Sequence, residues 1–164
     1  MKFNFQALKA IYLHEMDRFR RTLTQSLLSP VLSTSLYFIV FGSVIGGYVQ
    51  KIDGISYGSY IVPGLLMLTL LTQSISNTSF GIFFPKFNGT IYEILAAPIS
   101  TFEVVLAFVG AGATKTLIVG VMIFITSMFF VDVEVKYPLL MIFLLVLVSF
   151  TLSLIHISEP TRLE

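Results

Sequence analysis

The chain has 164 residues, 55% of them hydrophobic and only 12% charged, with a net charge of +1 and a mean hydropathy of +0.90. A soluble domain is about 25% charged, so half of the usual surface charge is missing and the soluble globular class is excluded. There is no cysteine, which excludes disulfides and cysteine-ligated metal sites, and the two histidines, His14 and His156, are too far apart to suggest a metal centre. The charge balance gives no reason to expect a nucleic-acid partner.

The N-terminus does not read as a signal peptide, because Lys9, Arg18, Arg20 and Arg21 all precede the first long apolar run. From Phe5 to Leu23, apolar side chains fall at Phe5, Leu8, Tyr12, Met16, Phe19 and Leu23. Steps of three and four place them on one helical face. Lys9, Glu15, Asp17, Arg18, Arg20 and Arg21 are assigned to the other face. Residues 1–25 are therefore expected to form an amphipathic helix resting on lipid headgroups.

A first span is predicted over about 27–49, with Pro30 in its first turn, where a missing N–H is harmless. The loop Gln50–Tyr57 carries Lys51, Asp53 and Gly54. A second span is predicted over about 60–84. Its later half, from Thr72 to Ser79, is too polar to face lipid all round. Thr72, Gln73, Ser76 and Asn77 are candidate pathway-lining residues, with hydrogen bonding between helices as the alternative.

Pro85–Ser100 is a polar connection, and Thr90 followed by Glu93 has capping-box spacing. A helix of about two turns is predicted there, stopping near Pro98. The third span is placed over about 111–131, which puts Lys115 near one end. Lys115 is a candidate functional charge, with snorkelling to the headgroups as the competing expectation. An acidic loop from Asp132 to Tyr137, with Glu134 and Lys136, leads into a fourth apolar run over 138–151.

Arg18, Arg20, Arg21 and Lys86 fall on one side of these spans, whereas Lys51 and Lys136 on the other are accompanied by Asp53, Asp132 and Glu134. The positive-inside rule then makes the N-terminus and the Pro85–Ser100 loop cytoplasmic.

The string from Leu152 to Arg162 matches the in-frame translation of a transposase-type sequencing adapter. Residues 152–164 are accordingly expected to be non-native. Authentic sequence would then end near Thr151 and hold only part of the fourth span, and His156 would have no functional claim.

No hydrolytic chemistry is legible. Gly110–Thr116 has the outline of a phosphate-binding loop, but Thr114 stands where the glycine before the lysine is required and Val109 where the first glycine is required. No nucleophile, metal-ligand or paired-carboxylate pattern replaces it, so no catalytic, cofactor or metal residue is assigned.

The amphipathic basic helix, the Tyr60–Leu66 entry to the second span and above all Gly89–Ser100 (Gly-Thr-x-x-Glu-x-Leu-x-x-Pro-Ile-Ser) together resemble the ABC-2 type transporter permeases. The resemblance covers residues 1–151 and implies an all-α integral membrane domain. In this chain that domain would comprise three complete spans and a partial fourth of the family's six. It also implies a half-transporter of a bacterial inner membrane that exports its substrate, dimerises and binds separate cytoplasmic ATPase subunits. ATP and magnesium would then belong to the partner ATPase and no cofactor to this chain. The family's ATPase-coupling loop corresponds here to Lys86, Asn88, Gly89, Thr90 and Glu93. Two other functions compete. One is an ion-coupled carrier using Lys115, for which no acidic residue lies within the spans to pair with it. The other is a membrane scaffold that transports nothing.

Overall fold

Each long uncharged run becomes a helix, because backbone N–H and C=O groups in hydrocarbon find partners only within the same segment. The computed structural model describes residues 3–49, 51–52, 54–133 and 135–158. Gln50, Asp53, Glu134, the side chain of His156 and the tail from Glu159 onward lie outside the described residues.

The helices are α1 (Phe5–Arg21), α2 (Leu23–Val40), α3 (Gly46–Tyr48), α4 (Tyr57–Phe87), α5 (Ile91–Ala96), α6 (Thr101–Met128) and α7 (Pro138–Ser158). Four of them, α2, α4, α6 and α7, contain stretches long and apolar enough to cross a membrane. The chain is an all-α integral membrane protein.

Asn4 opens α1 by accepting the Ala7 N–H on its side chain, and a single residue, Thr22, separates α1 from α2. Because α2 already begins at Leu23, Pro30 is not in the first turn as expected but inside the helix, where it cannot donate to the carbonyl four residues back. Past Val40 the helix widens into a π segment over Phe41–Ile45 before α3, so a π segment interrupts the span predicted over 27–49. Lys51–Ile52 (β1) and Ile55–Ser56 (β2) then form a short antiparallel hairpin, turned by Gly54 at φ +83°. Ser56 caps α4.

The bundle runs up and down around α6. Half of α6's apolar stretch is buried, against 17–22% for the other three spans. Gly81, Leu70 and Gly58 of α4 face Phe108, Gly120 and Val131 in turn, so α4 lies antiparallel to α6 with a constant register along its whole length. At Gly58 a Cβ would collide with Val131, and at Gly120 with Leu70, so small residues set how closely the two axes approach. Leu66 and Leu70 of α4 pack with Leu145 of α7. Further along, Ser74 meets Ser153, which makes α7 parallel to α4. Stacking of Phe38 on Phe130 at 5.7 Å joins α2 to the end of α6. Ser59 donates to the Asp132 carbonyl at 2.9 Å and ties the start of α4 to the loop after α6.

At 28 residues α6 is about 42 Å long, more than the ~30 Å of a hydrocarbon core. It starts ten residues before the crossing expected at 111, and α1 covers that extra length. Asn4 contacts Glu103, Tyr12 contacts Gly110 and Thr114, and Glu15 contacts Lys115. The two helices therefore run side by side in the same direction, and α1 has a protein surface on one flank.

Candidate functional site

The connection between α4 and α6 is built by three local devices. Asn88 ends α4, with its N–H donating to the Phe84 carbonyl at 3.0 Å. Gly89 then takes φ +76°, a left-handed conformation that costs glycine little and other residues more. The six-residue α5 follows, and Ala97 leaves it in an extended conformation ahead of Pro98. Lys86, Asn88, Thr90 and Glu93 are exposed and Gly89 is half-buried.

The capping box expected from Thr90 and Glu93 is not formed. Thr90 has helical dihedrals (φ −64°, ψ −19°) and its side chain makes no capping bond, because a side chain reaches the N3 amide only from an extended N-cap. A capping box does form one element later. Ser100, at ψ 146°, accepts from the Glu103 N–H at 3.3 Å, and the Glu103 carboxylate accepts from the Ser100 N–H at 2.8 Å. The second Glu103 oxygen accepts from the Asn4 N–H at the start of α1. On its inner side α5 contributes Ile94 to an apolar cluster made by Phe108 and Val109 of α6 and Ile11 of α1.

Among the described polar residues of α4, Thr72, Gln73 and Asn77 bond within their own helix. The Thr72 hydroxyl donates back to the Leu68 and Thr69 carbonyls of its own helix, and the Asn77 amide reaches Gln73 at 3.4 Å. Thr72 and Ser76 are exposed, and Gln73 and Asn77 are half-buried. The residue that does point inward is Ser74, fully buried and 3.5 Å from Ser153. A cleft of about 230 Å³ between α6 and α7 is lined by Gly110, Ala113, Thr114, Leu117, Val146, Ser149 and Phe150, and by none of the four α4 residues.

Lys115 does not snorkel. It is 2% exposed, and its Nζ stands 2.7 Å from Glu15 Oε2. The same oxygen accepts from Arg18 Nη2 at 3.0 Å. The snorkelling expectation fails because α1 lies along this stretch of α6 and stands between Lys115 and the surroundings. Glu15 is itself 3% exposed, which corrects its assignment to the water-facing side of α1. The signal was in the spacing: Leu8, Tyr12, Glu15 and Phe19 are four, three and four apart and form a single stripe. Tyr12 OH lies 3.1 Å from Thr114 Oγ1 in the turn before Lys115. The sequence reading assigned neither Glu15 nor Glu103 to a site.

Comparison with known proteins agrees with this architecture. The chain is 38% identical over 148 residues, 90% of its length, to the inner membrane transport permease YadH of Escherichia coli K12, with the same figures for the proteins of that name in Escherichia coli O157:H7 and Shigella flexneri. It spans 58% of the length of these relatives. No solved structure matches it significantly. The family model for ABC-2 type transporters matches residues 6–158, and the chain belongs to that family of membrane permeases.

Proposed function

We propose that this chain is membrane-spanning sequence of an ATP-driven exporter and that α5 is the element through which a separate cytoplasmic ATPase acts on it. In this reading the N-terminus and α5 face the cytoplasm of a bacterium, the permease dimerises in the inner membrane, and ATP and magnesium are bound by the ATPase. The observation that carries the reading is the mounting of α5. It is a short helix with Tyr92 and Glu93 exposed on one side and Ile94 packed into the bundle on the other, joined to α6 by a capped four-residue link. A helix held this way transmits a rigid-body push that a mobile loop would absorb.

The test is charge reversal at the exposed carboxylate. Glu93→Arg is expected to reduce co-purification of the ATPase subunit several-fold while membrane insertion is unchanged. Full retention of the ATPase would remove Glu93 from the contact.

An ion-coupled carrier is the second reading, and one observation favours it: Lys115 has an acidic partner after all, supplied by α1 rather than by a span. Transport in sealed vesicles separates the two. Flux that continues without ATP and stops when the proton gradient is collapsed supports the carrier, whereas the absence of any flux supports a scaffold.

A further inference from the structure

Three helices meet at Glu15. Its Oε2 receives Lys115 from α6 and Arg18 from its own helix, and α4 passes with Gly81, where an added Cβ would lie 3.8 Å from the same oxygen. Gly81 brings the α4 backbone alongside this carboxylate, where an added Cβ would make only ordinary van der Waals contact. Arg18 is partly exposed, but Glu15 and Lys115 are both almost completely enclosed. Drawing α1 away from α6 would leave Lys115 unpaired among apolar helices, while Glu15 would keep Arg18 on its own helix; stranding one buried charge is far costlier than parting an exposed pair.

The opposite end of α1 is held as well. Glu103 caps α6 through Ser100 and at the same time accepts from the Asn4 N–H. Between these two attachments, Ile11 of α1 and Ile94 of α5 share the Phe108 and Val109 surface. Glu15–Lys115 and Asn4–Glu103 join α1 to α6 between Glu103 and Lys115, and the Ile94 contact joins α5 to the same stretch.

We infer that α1, α5 and the N-terminal half of α6 move as one body, locked by Glu15 on Lys115, and that Glu15 is a positioning residue. A push on α5 would then carry the buried part of α6 and the whole amphipathic helix together, with the change of angle taken up at α4 and α2. That consequence rests on the proposed coupling role of α5; the lock itself does not, and it can be measured without ATP, ATPase or substrate.

The natural absence of cysteine allows spin labels to be placed directly. Lys9→Cys on α1 and Met128→Cys at the end of α6 are both exposed positions. In the labelled full chain in lipid nanodiscs, pulsed electron paramagnetic resonance is expected to give one narrow distance distribution. Glu15→Gln and Lys115→Met should each raise a displaced population by about tenfold or more, because the first leaves Lys115 buried and unpaired and the second removes the charge on α6 that holds Glu15, which keeps Arg18. The double variant should displace less than the product of the two, the signature of directly coupled residues. Lys115→Arg, which keeps the charge, should hold the parent distribution, and with the double variant it carries the test if a single variant fails to insert. An unchanged distribution in both single variants, independent effects in the double, or full release in Lys115→Arg would each overturn the lock.

Discussion

Gly120 of α6 lies so close to Leu70 of α4 that an added Cβ would stand 2.8 Å from Leu70 Cδ2. Leu70 is 1% exposed and packs with Leu66 and Leu145, so it has little free space to turn into. At this level the close approach of α4 to the central helix therefore depends on a missing side chain. Gly120→Val is expected to destabilise the chain by roughly 1–3 kcal/mol, the range for overpacking a filled core. Leu70→Ala in the same chain should relieve most of that loss. Thermal unfolding of the single and double variants in detergent checks it, and strictly additive losses would show that the contact does not set the helix spacing.

The two helix starts flanking α5 should respond differently to the same chemical change. Ser100→Ala removes a formed cap and is expected to cost about 1 kcal/mol. Thr90→Ala removes a hydroxyl that caps nothing and should stay within about 0.5 kcal/mol. Amide hydrogen exchange at Glu103 gives a local readout: faster in Ser100→Ala, unchanged in Thr90→Ala. Equal losses of stability at both positions would mean that Thr90 does cap α5.

Gly89 turns the chain from α4 into α5 at φ +76°. An added Cβ would meet nothing within 4 Å, so any cost of substitution is conformational rather than steric. Gly89→Val is expected to cost roughly 1–3 kcal/mol of local strain and to tilt α5. If α5 is the ATPase contact, association should fall as it does for Glu93→Arg, although no charge has changed. Loss in Glu93→Arg alone would assign recognition to the charge and not to the orientation of the helix.

The sequence reading failed most clearly at Lys115, and the reason is specific. Its partner lies 100 residues earlier, on a helix sorted into apolar and polar faces by residue type. Glu15 was placed with the polar residues because it is charged, although its spacing from Tyr12 and Phe19 put it on the buried stripe. Polarity and periodicity disagreed at that one position, and periodicity prevailed because Lys115 was there to neutralise the charge. The capping boxes carry a related lesson. Thr90-x-x-Glu93 and Ser100-x-x-Glu103 have the same spacing, and only backbone dihedrals separate the one that forms from the one that does not.

The polar half of α4 was visible as a composition, but its orientation was not. Thr72 satisfies its hydroxyl on its own backbone, and Ser74, which was not singled out, takes the inward position. A run of hydroxyls states only that hydrogen bonds must be made; which residue makes them across a helix interface depends on the rotation of the helix.

Sequence by itself determined three apolar spans and the start of a fourth, which the structure carries on to Ser158, together with the short helix between the second and third and the family, since hydropathy, span length and a local motif are properties of contiguous residues. Tertiary structure alone decided that α6 is the hub of the bundle, that α1 runs along it, and that Glu15 and Lys115 neutralise each other inside. Those outcomes depend on the register between helices far apart in the chain, and that register is set by where a missing side chain lets two backbones approach and where a buried charge finds its opposite.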